Sequence, residues 1–162
     1  MGWLQCDTVC GFFPIILIET NALQYGQTGS GKSYSMVGYG EDKGIIPLAC
    51  EEIFQRIESN QDENLKYKVE ASMIEIYNEQ VKDLFNPSSY KPGGLRVREN
   101  PKTGPYVEDL CISPVKTYND IEHLMEIGTR ARTVGATLMN QTSSRAHTLF
   151  QIILTQTTIR KE

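Results

Sequence analysis

No lysine or arginine occurs before Lys32. The apolar run from Gly11 to Ile18 has the length of a secretory-signal core, but without a basic stretch ahead of it the run does not read as a signal peptide. It is also too short to span a bilayer, so a buried strand, or an unnatural start to the chain, is the expectation for it. Histidine is limited to His123 and His147, and Cys6, Cys10, Cys50 and Cys111 form no C-x-x-C pair. A zinc cluster therefore has no recognisable ligand spacing, and free thiols in a reducing cytosol are expected. A basic excess is missing too: 16 Lys and Arg stand against 20 Asp and Glu, and a net charge of −4 speaks against nucleic acid as a partner. Internal repeats are absent. What remains, 162 residues with 40% hydrophobic and 22% charged, suits one ordinary globular domain with a core of its own.

Glycine, by contrast, is concentrated where it has chemical meaning. Gly26-Gln27-Thr28-Gly29-Ser30-Gly31-Lys32-Ser33 fits G-x-x-x-x-G-K-[ST]. Three glycines in six positions let the backbone curl so that successive N–H groups point at phosphate oxygens. Lys32 would set a positive charge against the β- and γ-phosphates, Ser33 would offer its hydroxyl to Mg²⁺, and a helix opening there would aim its positive end at the same anion. At average residue usage a chance match in a chain of this length has a probability on the order of one in a hundred. The loop should follow a buried strand and start a helix, which Ala22 to Tyr25 and Lys32 to Val37 both allow.

The rest of the chain alternates strand and helix signals. Gly38 to Gly44 reads as a polar connection, and Pro47 suits a first helical turn. Cys50, Ile53, Phe54 and Ile57 recur at helical spacing. Asn60 to Asn64 reads as a loop. Tyr67 to Ile76 reads as a strand, and Asn86 to Gly94 as a loop. Leu95 to Arg98 and Tyr106 to Leu110 flank a Pro- and Gly-rich reversal, which predicts a hairpin. Asn119 with Glu122 resembles a capping box for a helix carrying Ile121 to Val134, with Gly135 as its stop. His147 to Ile159 reads as a final strand. The fold class expected is α/β: a central mixed sheet of the phosphate-loop NTPase type, sandwiched by helices.

Asn140-Gln141-Thr142-Ser143-Ser144-Arg145-Ala146-His147 packs hydroxyls, amides and a guanidinium between that last helix and strand. By composition it is either a solvated linker or a nucleotide-sensing switch, since hydroxyls suit Mg²⁺ and a guanidinium can hold a carboxylate that responds to the γ-phosphate. Taken with the phosphate loop and with Ile74-Glu75-Ile76-Tyr77-Asn78-Glu79, this stretch resembles a kinesin motor domain. Leu95 to Pro101 and Gly104 to Leu110 are most similar to the vesicle-transporting kinesins of family three. The resemblance runs from about Leu23 to about Gln156 and implies an ATPase that moves along microtubules. It implies that Gly26 to Ser33 hold ATP and that Ser33 and Ser144 hold Mg²⁺, partly through water. It further implies that Ser143, Ser144 and Arg145 form switch I, with Arg145 pairing a switch II acid, and that Asn140 orients the attacking water or phosphate. Lys32, Asn140, Ser144 and Arg145 are thus the implied catalytic set. The hairpin from Arg96 to Tyr106 would face β-tubulin, with Arg98 and Lys102 as contacts. Lys91, Arg96, Arg98 and Lys102 against Glu99 give that stretch a local positive excess suited to an acidic partner, although an ordinary solvated hairpin has the same composition.

The implied partners are microtubules, with neither nucleic acid nor membrane insertion, in the cytoplasm and its cytoskeleton. Departures bear on the scope of these expectations. Residues 1–20 match nothing in the family, so the domain is expected over 21–162. Leu23-Gln24 stands where Phe-Ala is usual, and Ala146 where serine is usual. The family's Asp-Leu-Ala-Gly-x-Glu segment, main track-binding helix, neck linker, cargo domain and dimer-forming coil are not found, so the chain is expected to be a truncated motor domain, inactive or weakly active alone. The rival reading is a non-catalytic remnant that binds nucleotide or tubulin weakly. No guanine-specifying Asn-Lys-x-Asp occurs, which disfavours a small GTPase.

Overall fold

The computed structural model describes residues 15–17, 24, 30–138 and 146–159. In chain order the elements are β1 (Ile15–Leu17), α1 (Lys32–Met36), β2 (Gly38–Tyr39), β3 (Asp42–Lys43), α2 (Ile45–Ser59), β4 (Leu65–Tyr77) and β5 (Gln80–Asp83), then a 3-10 turn (Pro87–Ser89). The hairpin strands β6 (Val97–Asn100) and β7 (Gly104–Val107) follow, then β8 (Ser113–Val115), α3 (Tyr118–Leu138) and β9 (His147–Thr158). One sheet has the order β1-β9-β4-β5, with β8 also on β4. Two compact units divide the chain. One takes the described residues to Val69, Val115–Tyr118 and those from Ile153 on; the other takes Glu70–Pro114 and the described residues from Asn119 to Ile152.

In the first unit, β1 lies antiparallel to β9 with Ile15 opposite Thr157 and Leu17 opposite Thr155, so the apolar run at the start does contain a strand. The Gly38 to Gly44 connection is a two-rung hairpin, β2 against β3, rather than an open loop. Gly38 is required by contact: it sits at φ 85°, and a Cβ there would strike the carbonyl of Asp42. Helix α2 buries Pro47, Cys50 and Phe54 on one face, as its spacing predicts, and burial drives the Cys50 thiol pKa up to about 12. The helix ends at Asn60 in extended conformation. Side-chain oxygens of Asn60 and Asp62 then accept backbone N–H groups two residues on, the Asx geometry that lets a helix give way to a strand in five residues. Ile159 N–H donates to the Asn64 carbonyl at 2.7 Å, fixing the start of β4 beside the end of β9.

In the second unit, Ala71, Met73 and Ile74 bury the continuation of β4. Ser72 donates to Gln151 of β9 at 3.3 Å. Asn78 and Glu79 both take positive φ, 49° and 61°, the signature of a two-residue hairpin turn, and return the chain as β5 with Tyr77 opposite Gln80 and Ile74 opposite Asp83. That strand and β8 are absent from the sequence expectation. The hairpin expected around Pro101 is present, but shifted. Leu95 leaves it to bridge Val81 and join the buried cluster of Ile74, Val81 and Leu95, while Asp109 at φ 61° ends the second arm.

Helix α3 corrects two expectations. It begins at Tyr118, which puts Asn119 inside the first turn and Thr117 at the cap position, with Asp120 as the first-turn acid. It also passes through Gly135 to Leu138. A helical glycine costs about 1 kcal/mol against alanine, too little to stop an established helix unless the chain turns left-handed there. Gly128 of α3 rides so close to β4 that a Cβ would meet Met73 Sδ.

Candidate functional site

Gly31 is the hinge of the candidate phosphate site. It takes φ 79°, ψ 14° at the N-cap of α1, a left-handed geometry that glycine adopts without strain. Its carbonyl accepts the first bond of the helix, from Ser35 N at 3.0 Å, and a second from Ser35 Oγ at 3.3 Å. Among the described residues, a Cβ built on Gly31 meets nothing within 4 Å. Ser30 and Gly31 are exposed, and Lys32 and Ser33 half-buried at the mouth of the helix. Lys32 Nζ lies 3.5 Å from Ser30 Oγ.

Because α1 has only five residues, attraction for an anion would rest on individual first-turn N–H groups and the Lys32 charge rather than on a summed dipole. The short helix is held from behind: Val37 N donates to Ser33 at 2.9 Å, and Gly44 N returns to Val37 at 3.2 Å. Gly26, Gln27, Thr28 and Gly29 lie outside the described residues, as do Asn140, Ser143, Ser144 and Arg145. Just ahead of the loop, the Gln24 side-chain oxygen is buried with no hydrogen-bond partner among the described residues.

A constellation that motif reading misses lies directly after α1. Tyr34 stacks on Tyr39 with ring centroids 6.1 Å apart and donates to Asp42 at 2.9 Å. Lys43 pairs with Glu51 of α2 at 3.1 Å and sits 4.7 Å from the Tyr118 ring. The hydrogen bond to Glu51 is the main cause that raises the Lys43 pKa above its usual value. Tyr34, Asp42 and Lys43, with Ile45 and Leu48, wall an open groove. The tyrosine and lysine spacings carry no motif, so only the hairpin register brings them together.

The candidate track-facing hairpin is anchored by Asp83, which is 6% exposed. One carboxylate oxygen accepts Phe85 N at 2.9 Å and Asn86 N at 3.1 Å; the other accepts Cys111 N at 2.8 Å. Backbone bonds from Leu95 N to Val81 and from Glu108 N to Arg96 close the root. At the tip, Asn100 Oδ1 accepts Lys102 N at 2.9 Å, which presents the exposed Lys102 side chain outward. The positive excess counted from sequence is partly spent within the hairpin. Arg98 donates from Nε and Nη2 to Glu108 at 3.4 and 3.3 Å, and Lys91 pairs with Asp109 at 3.3 Å. Among the described residues no group of His, Cys, Asp and Glu is placed to hold a metal, and no helix is long and apolar enough to cross a membrane.

An α/β sheet with a glycine-hinged lysine and serine opening a helix defines the class: a phosphate-loop nucleotide-binding fold. The kinesin motor domain model matches residues 17–162, and the chain belongs to that family. It is 61% identical over 140 residues to Kinesin-related protein 1 of Dictyostelium discoideum, covering 85% of this chain and 6% of that protein. It is 56% identical over 134 residues to Kinesin-like protein KIF1A of Rattus norvegicus, covering 82% and 8%. Among solved structures, a fast kinesin superposes with TM-score 0.76 at 41% identity, over 82% of this chain and 37% of that one. KIF14 carrying AMP-PNP on a microtubule superposes with TM-score 0.71 at 44% identity, over 83% and 37%. The chain thus spans less than a tenth of these two sequence relatives and just over a third of the solved chains.

Proposed function

We propose that residues 21–162 form the ATP-binding and part of the microtubule-facing portion of a kinesin motor. The observation that carries this reading is Gly31 in left-handed conformation at the opening of α1, with Lys32 and Ser33 immediately after it. Gly26 to Ser33 would wrap the triphosphate, Lys32 would hold its charge against the β- and γ-oxygens, and the Ser33 hydroxyl would face the metal. Mg²⁺, when bound, would neutralise charge across the two phosphates. Hydroxyl oxygen is the hard donor that ion takes, so Ser33, with Ser144 partly through water, fits the role. Ser143, Ser144 and Arg145 would serve as switch I, and Asn140 would orient the attacking water or the phosphate.

The β6–β7 hairpin, with Arg98 and Lys102, would contact the acidic tubulin surface, placing the protein on the cytoplasmic microtubule cytoskeleton. The similar KIF14 structures, solved with AMP-PNP or ADP in complex with a microtubule, support this assignment. The test is titration of the chain with a fluorescent ATP analogue, with and without Mg²⁺, and of its ATP turnover with and without microtubules. Saturable Mg²⁺-dependent binding that is lost in Lys32→Ala supports the reading, and binding indifferent to Lys32 would overturn it.

A further inference from the structure

We infer that Glu108 and Asp109 are built-in masks that hold the hairpin's affinity for an acidic track below what its cations would otherwise give. This rests on the proposal that the hairpin faces tubulin. From Lys91 to Asp109 the chain carries four cations, Lys91, Arg96, Arg98 and Lys102, against three carboxylates, Glu99, Glu108 and Asp109. The structure distributes these charges unevenly. Glu108 engages two nitrogens of the Arg98 guanidinium across the hairpin, and Asp109 holds Lys91. Arg96 and Lys102 make no ion pair among the described residues. Arg98 and Glu108 keep 48% and 41% of their side-chain surface, so the pair is worth little to folding and is open to competition.

A carboxylate arriving from a partner must displace Glu108 to take the same donors, because the guanidinium fork is already engaged. Neutralising Glu108 and Asp109 would leave four cations against Glu99 alone. Neither substitution conflicts with the backbone: Glu108→Gln is isosteric, and Asp109→Asn suits the left-handed φ of 61°.

The experiment is cosedimentation of the 162-residue chain with polymerised tubulin across a salt series, with circular-dichroism melting to certify each variant's fold. E108Q should bind about two- to fourfold tighter at low salt, with the gain fading as the Debye length shrinks below the charge separation. D109N should gain independently. E99Q reports the effect of removing an acid that masks nothing and should gain less. In an R98Q background the E108Q gain should disappear, since the freed donor is gone. If R98Q and K102A weaken binding while E108Q brings no gain, or brings the same gain with and without Arg98, the masking inference is wrong and the hairpin's role stands. Binding unmoved by R98Q and K102A would remove the hairpin from the interface, and the masks with it.

Discussion

The candidate phosphate loop and the β6–β7 hairpin both carry cations, and they are built on opposite principles. In the loop, position is set by backbone: Gly31 turns left-handed, α1 opens, and Lys32 and Ser33 follow from adjacency in sequence. In the hairpin, position is set by side chains from distant places, Glu108 on Arg98 and Asp109 on Lys91, above an anchor made by Asp83. A contiguous motif can announce the first. Counting charges misreads the second, because register decides which cations are already satisfied.

The largest test of this contrast is Lys32→Ala. Removing a charge set against the phosphates should lower nucleotide affinity or turnover roughly 100-fold while the melting temperature barely moves, since the backbone cradle survives. Equilibrium titration and a thermal melt on the same sample separate the two. Asp83→Ala should do the reverse. Three backbone N–H groups would lose their acceptor, costing about 3 kcal/mol in urea unfolding, with nucleotide binding by the folded fraction unaltered. Asp83→Asn, which keeps one acceptor oxygen, should cost less.

Legibility followed the same divide. The helix opening at Lys32, the α2 face at Cys50 and Phe54, the hairpin and the last strand could be read from local signals. The short β5 could not, because Asn78-Glu79 takes the two positive φ angles of a hairpin turn without the glycine that usually marks one. Asn119 and Gly135 each carry a real capping preference, but Thr117-x-x-Asp120 offers a competing start, and a single glycine costs too little to end an established helix. The Asp83 anchor joins residues brought together by the return of a long excursion, and the Arg98–Glu108 pair joins residues brought together by the hairpin, neither of which composition encodes. Residues 26–29 and 140–145, where the remaining nucleotide contacts are proposed, lie outside the described structure.

A smaller effect sharpens the comparison inside the first unit. The raised Lys43 pKa means that its partnership with Glu51 stabilises the fold in full below the ordinary lysine value of 10.5, and that this contribution is lost as pH climbs through the raised value. Glu51→Gln should therefore leave a urea midpoint that falls less than the parent's as pH rises above about 10.5. The smallest effect belongs to Glu52→Gln, which removes a helix-surface pair with Arg56 and should shift stability by only about 0.3–0.5 kcal/mol.

Asp83 has one more consequence. Its two oxygens grip the chain where it departs, at Phe85 and Asn86, and where it comes back, at Cys111, 28 residues from the aspartate. A single carboxylate therefore closes a loop, and what it restrains is the entropy of the whole excursion as well as three donors. Loop-closure entropy grows only logarithmically with length, so the tie would still function were the hairpin lengthened. Release of that one side chain would free the excursion as a cooperative opening unit, and its amides should exchange with solvent together, on a shared time course distinct from those of α2.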